Sequence, residues 1–128
     1  MHKIKVSTSE RNELIDITDK VQQAVNELGF VKGVITVFTP HTTAAITINE
    51  NADPDVTRDI IYGLNKIVPS SGYYHSEGNS DSHIKSSMIG ASEQIIVESG
   101  QLKLGTWQGI YFCEFDGPRL REVWVQSN

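Results

Sequence analysis

Apolar and polar residues alternate along residues 2–9, where Ile4 and Val6 stand two apart, and again along residues 13–17, with the polar Ser9, Glu10, Arg11 and Asn12 between them. A period of two is that of a half-buried strand, so the opening of the chain is predicted to form two strands joined as a hairpin. The period then changes. Val21, Ala24, Val25 and Leu28 fall at i, i+3, i+4 and i+7, Thr18 stands where an N-cap is needed, and Gly29 tolerates a left-handed stop, which together predict a helix. Residues 32–39 are rich in β-branched side chains and read as a strand. Residues 42–50 read as another, with Ala44, Ile46 and Ile48 on one face and His41, Thr43, Ala45, Thr47 and Asn49 on the other.

Asp53 followed by Pro54 starts the second helix: a capping carboxylate, then a residue with no N–H to leave unpaired. Val56, Ile60, Leu64 and Ile67 are its expected buried stripe, and it should stop near Val68 and Pro69. Residues 69–80 hold proline, glycine and serine without a period, and a connector of that length in a compact domain is more often a binding loop than a plain link. Asp81 or Ser82 is then placed to cap a short third helix, with Ile84 and Met88 on one side and His83 and Ser87 on another. Residues 94–98, 102–104, 109–115 and 122–126 read as strands, with turns at Ser99-Gly100 and Asp116-Gly117-Pro118. The order β-β-α-β-β-α-α-β-β-β-β has no repeat or linker, so residues 1–128 are expected to form one compact α+β domain with about three helices. Strands that neighbour one another at both ends of the chain favour a mixed or largely antiparallel sheet.

Composition narrows the partners. No apolar run reaches the roughly 18 residues a membrane helix requires, which argues against a membrane partner. A net charge of −5 argues against nucleic acid, whose backbone is held by clustered Lys and Arg. The opening residues lack the apolar core of a secretory signal and the single cysteine, Cys113, has no internal mate, so a cytoplasmic location is expected. Within the apolar run GIYFCEF, Cys113 reads as a small buried hydrophobe. Trp107 and Trp124 read as core or interface residues, and Arg119 and Arg121 as surface charge or as reaching an anion bound to another subunit.

Two polar stretches hold three of the four histidines: PHTTAAITINENADPD, residues 40–55, and HSEGNSDSHIK, residues 75–85. Packing gains little from grouping such side chains, whereas a site that binds metals, phosphates or a reacting substrate needs them grouped. His41, Glu50, Asp53, His75, Glu77, Asp81 and His83 offer nitrogen and oxygen ligands suited to zinc, manganese or magnesium, although their spacing matches no standard metal motif. Asp53 is also accounted for by capping alone. Free N–H groups near Ser82 and His83, with Lys85 and Ser86 beside them, suit a phosphate or diphosphate. His41 and Glu50 bracket a strand that would hold them about 30 Å apart at 3.3 Å per residue. One pocket within one subunit cannot easily use both, which favours a site at a subunit boundary.

HTTAAITINENADPDV, EGNSDSHIKSSMIG and LGTWQGIYFCEFDGPR together resemble the YjbQ-like family, also called the secondary thiamine-phosphate synthase family, over nearly the whole chain. The resemblance implies an α+β fold assembled as a homotrimer, a polar pocket of histidines and carboxylates with a bound metal in some members, and a weak activity joining a hydroxymethylpyrimidine diphosphate to a thiazole phosphate. The positions matching its polar motifs include His41, Asn49, Glu50, Asn51, Asp53, His75, Asn79, His83, Lys85 and Ser86. The resulting expectation is a metal-assisted transferase acting on a small phosphorylated substrate. His41, His75 and His83 would be ligands to a divalent zinc or magnesium ion. Glu50, Asp53 and His83 would be catalytic, and Asn49, Asn51, Asn79, Lys85 and Ser86 would bind substrate. A metal-dependent hydrolase, or a trimeric metal- or anion-binding protein without turnover, uses the same groups.

Overall fold

The computed structural model describes all 128 residues. Eight strands and three helices follow in the order β1 (His2–Ser7), β2 (Glu13–Asp16), α1 (Thr18–Leu28), β3 (Gly33–Phe38), β4 (Ala44–Glu50), α2 (Pro54–Ile67), α3 (Ser80–Ile89), β5 (Ser92–Glu98), β6 (Gln101–Leu102), β7 (Gln108–Glu114) and β8 (Leu120–Ser127). They form two antiparallel sheets, ordered β1-β8-β3-β5-β6 and β2-β7-β4. The main core lies between them, where Val6, Ile35, Val37, Val97, Val123 and Val125 of the larger sheet meet Ile46, Ile110 and Phe112 of the smaller, with Val21, Ala24 and Val25 of α1 closing one end. The other face of the smaller sheet buries Ala45, Cys113 and Phe115 against Leu64 of α2, with Ile60 and Ile89 alongside. Burial pushes the Cys113 thiol up to about 12.

The expected opening hairpin does not form. β1 pairs with β8, so that His2 faces Val125, while β2 pairs with β7, so that Glu13 faces Glu114. Two adjacent alternating segments look like a hairpin from the sequence, but each pairs here with a strand about a hundred residues away. The crossing segment is pinned where Gly117 approaches it: a Cβ on Gly117 would stand 2.3 Å from the Glu10 carbonyl oxygen. Gly117 N–H also donates to the Arg11 carbonyl at 3.1 Å.

Helix ends follow the capping chemistry with one change. Asp53 accepts the Asp55 N–H at 2.9 Å and Gly29 sits at φ 63°, as expected. At the start of α1 it is Asp16, not Thr18, that accepts the first free N–H, at 2.9 Å, and the Thr18 hydroxyl at 2.6 Å. Thr18 Oγ1 in turn accepts the Ile110 N–H at 2.9 Å, which ties α1 to β7. Of the stripe expected on α2 only Leu64 is fully buried, and Ile67 is 64% exposed.

α3 is the largest departure. Neither Asp81 nor Ser82 caps it; Asn79 is the N-cap residue, and both Asp81 and Ser82 lie inside the helix and are buried with Lys85 and Ser86. These polar side chains reach backbone and charge partners in the neighbouring strands and loops. Ser82 donates to the Phe115 carbonyl, Ser86 to the Ala44 carbonyl at 2.6 Å, and Asp81 pairs with Arg11 at 3.0 Å. Ile84 and Met88, the expected packing stripe, face outward.

Candidate functional site

α3 divides two clefts. On one side the β3–β4 connection lies against the end of the helix, held where Thr39 N–H donates to the Ala91 carbonyl at 2.9 Å. This leaves a cleft of about 650 Å³ between Thr39, His41 and Thr42 on one wall and His83, Ser86 and Ser87 on the other. On the other side the long loop forms a cleft of about 450 Å³ with Tyr73, Tyr74, His75, Ser80, His83 and Ile84. His83 lines both.

The His75 ring stands edge-on to the His83 ring with centroids 5.7 Å apart. Its Nδ1 lies 2.9 Å from Ser80 Oγ and its Nε2 3.8 Å from Glu77 Oε1. Asn79 holds the loop to the body by donating to Asp116 at 2.9 Å, and Arg11 adds contacts to the Gly78 carbonyl and Asp81. His41 is oriented from behind, where the Glu122 N–H donates to its Nε2 at 2.8 Å. Burial first, then the Arg121 guanidinium, holds its pKa below the usual imidazole value, against the pull of Glu114 and Glu122.

The expected set of metal ligands is not gathered by one chain. No group of three or more His, Cys, Asp or Glu side chains lies close enough to hold an ion. His75 and His83 are neighbours, whereas the Nε2 lone pair of His41 is already engaged by a backbone N–H. The donor set therefore fits a divalent ion only as a pair of imidazoles that needs further ligands from a substrate or a second copy.

Four residues of the other polar motif lie elsewhere. Asn49, Glu50, Asn51 and Asp53 stand at the far end of β4 from His41, where Glu50 faces Gln108 across the sheet. The side chains of Asn49, Asn51 and Asp53 are engaged locally. Asn49 Oδ1 accepts the Glu50 N–H at 2.7 Å, Asn51 donates to Asp16 at 3.3 Å, and Asp53 caps α2. Asn51 also lies flat on Gly109, where a Cβ would come within 2.6 Å of its amide nitrogen. The Glu50 carbonyl accepts the Tyr111 hydroxyl at 3.0 Å, and its carboxylate Oε2 is buried with no hydrogen-bond partner. The strand does not bend back, so the catalytic roles expected of Glu50 and Asp53 are separated from His83 within one chain.

Lys85 is likewise no open phosphate ligand. It is 1% exposed, and its ammonium donates to Asn65 at 2.6 Å and Asn12 at 3.1 Å, with Asp81 at 3.9 Å. Burial lowers its pKa, against Asp81. Ser86 lines the first cleft but gives its proton to the Ala44 carbonyl.

Arg121 was expected on the surface or at an anion, and it is buried. It forms a two-point pair with Glu114 and donates to Thr43 Oγ1 at 2.8 Å. Glu114 is a carboxylate whose burial alone would raise its pKa; the Arg121 hydrogen bonds, the Asp116 N–H and the Thr8 hydroxyl outweigh that and lower it. The sequence carries the signal in alternation, since Arg121, Val123 and Val125 share one face of β8. This pair backs the wall that holds His41.

The whole chain has known relatives. Residues 2–128 match the family model described as UPF0047 protein YjbQ-like. A UPF0047 protein of Methanocaldococcus jannaschii is 50% identical over 98% of this chain and 92% of its own length, and YugU of Bacillus subtilis is 50% identical over 96% and 95%. The crystal structure of an uncharacterised family protein from Clostridium acetobutylicum superposes with a TM-score of 0.95 at 59% identity, covering 98% of both chains. A hypothetical protein from Thermus thermophilus does so at 0.93 and 38% identity over the full length of both. With the family model matched over residues 2–128 and relatives 50% identical over nearly the whole chain, the chain belongs to the YjbQ-like UPF0047 family.

Proposed function

We propose that this protein is a transferase of the thiamine-phosphate synthase type, joining a hydroxymethylpyrimidine diphosphate to a thiazole phosphate with release of pyrophosphate, at a site centred on His83 in a homotrimer. The observation that carries the reading is His83 itself, a partly exposed imidazole forming a common wall of two clefts. Two adjoining clefts suit a reaction with two substrates, and an imidazole between them is placed to pass a proton to or from the reacting groups. Tyr73 and Tyr74 offer aromatic faces for a flat heterocycle in the cleft of His75. A divalent ion bound by His75 and His83 would neutralise the charge that develops on the diphosphate leaving group.

The trimer is supported by the outward face of α3. Ile84 and Met88 flank His83 and are 37% and 51% exposed, and a neighbouring copy covering them would close the clefts and add ligands to the two imidazoles. Sedimentation equilibrium should give three subunits, and a clean monomer would remove the shared site. Activity is tested with both substrates and a divalent ion, for wild type and His83→Ala. Formation of the joined product that is lost in His83→Ala supports the reading. Release of phosphate without joining would make the protein a hydrolase, and metal binding with no turnover would make it a binding protein.

A further inference from the structure

The cleft beside His41 has a property set by a single contact. A backbone N–H can only donate, so the Glu122 N–H makes His41 Nε2 the acceptor. In the neutral ring the remaining hydrogen must then sit on Nδ1, and the low pKa keeps the ring neutral at neutral pH. No hydrogen bond within the chain uses that N–H. The hydroxyls of Thr42, on the wall of His41, and of Ser87, on the opposite wall beside His83, are also without partners in the chain. No acidic side chain lines this cleft, in a chain of net charge −5. The contrast lies beside α2, where a cleft of similar size is lined by Glu10, Asp55 and Asp59.

We infer that the cleft of His41 is an oxyanion site for a phosphoryl group, with His41 as a neutral donor through Nδ1–H and the hydroxyls of Thr42 and Ser87 as its companions. The assignment rests on the reading above that the substrate is phosphorylated, and it divides the work around His83. The phosphoryl oxygens lie on the His41 side, and any metal chemistry lies on the His75 side, because neither nitrogen of His41 has a free lone pair to give an ion. A donor that carries no charge holds an anionic oxygen without itself exchanging protons with the substrate, which leaves His83 as the ring free to do so.

Two-bond proton–nitrogen correlation spectra of the full-length, nitrogen-15-labelled protein should show His41 as the Nδ1–H tautomer. Titration with inorganic phosphate and with pyrophosphate should shift its Nδ1 signal to saturation, with acetate much weaker. His41→Gln separates binding from structure, since the Gln carbonyl takes the place of Nε2 as acceptor for the Glu122 N–H but leaves no donor at the Nδ1 position. It should melt within a few degrees of wild type and bind phosphate about ten-fold more weakly, the loss of one hydrogen bond to a charged oxygen. An Nε2–H tautomer, unchanged phosphate affinity in a folded His41→Gln, or equal binding of acetate would each overturn the assignment. Metal titration is read at His75 and His83, so failure of the transferase reading there is distinguishable from failure at His41.

Discussion

The two ends of β4 carry similar polar side chains and use them in opposite ways. At the Glu50 end, asparagine, aspartate and threonine side chains are engaged with one another and with backbone: Asn51 with Asp16, Asp16 with Thr18, Thr18 with β7, Asp53 with α2. At the His41 end, His41, Thr42, Ser87 and His83 line an open cleft. Polar residues close in sequence are thus divided by one strand into a corner that builds the fold and a wall that can meet a ligand. Apart from the buried Glu50 Oε2, which has no partner, internal satisfaction more than residue type separates the two.

The sharpest test acts on the support of that wall. Glu114→Gln leaves the Arg121 guanidinium buried without its counter-charge and should cost about 3–5 kcal/mol in chemical denaturation; a loss below about 1 kcal/mol would show that the pair is dispensable. The same carboxylate sets an acid response. Its pKa is lower folded than unfolded, so its stabilisation is present above the ordinary glutamate value and is lost as pH falls through the folded one. Melts of wild type and Glu114→Gln should therefore converge in acid.

The next test compares the two ends directly. His83→Ala should fold and lose about a hundred-fold or more in transfer rate, the size expected of an acid–base group, while Glu50→Gln should stay within about two-fold. Equal losses would join the two ends into one site, which a neighbouring subunit would have to bring about. Smaller still, Asp53→Ala removes only a cap and should cost about 1 kcal/mol, a fall of roughly 4 °C in melting temperature, with activity retained below the transition. The smallest effect on ligand binding is expected for Lys85→Met: Asp81 keeps Arg11, but the Asn12 and Asn65 side-chain oxygens lose their donor, at a cost of about 1–3 kcal/mol. Unchanged phosphate binding by the folded variant is the expected result; a lost phosphate signal would return Lys85 to the site.

Much of the fold was legible because its signals are local. The i, i+3, i+4, i+7 pattern of α1, the left-handed Gly29 and the Asp53-Pro54 start of α2 depend only on neighbours in the chain, and the element order followed from them. Strand partners are non-local. Nothing in residues 2–17 encodes that β1 belongs with β8 and β2 with β7. α3 departs from its sequence pattern because its apolar stripe, Ile84 and Met88, is not the buried one. Asp81, Ser82 and Ser86 are buried instead, as the Phe115 and Ala44 carbonyls and the Arg11 guanidinium stand ready to pair with them, and Lys85 is buried against Asn12 and Asn65. The grouping of histidines in the sequence leads to the two clefts beside α3, which His41, His75 and His83 line. The direction of a hydrogen bond at His41 and the internal pairing of Lys85 exist only once the chain is folded.

Cys113 gives the molecule its own clock. It is the chain's single thiol, it sits on the middle strand of the smaller sheet, and its elevated pKa leaves almost no thiolate at neutral pH even if a reagent could reach it. Alkylation must therefore wait for α2 to lift off the smaller sheet or for the chain to unfold. The rate at which a mass label accumulates on the native protein then counts those openings directly. Every variant above can be timed in this way without adding a probe.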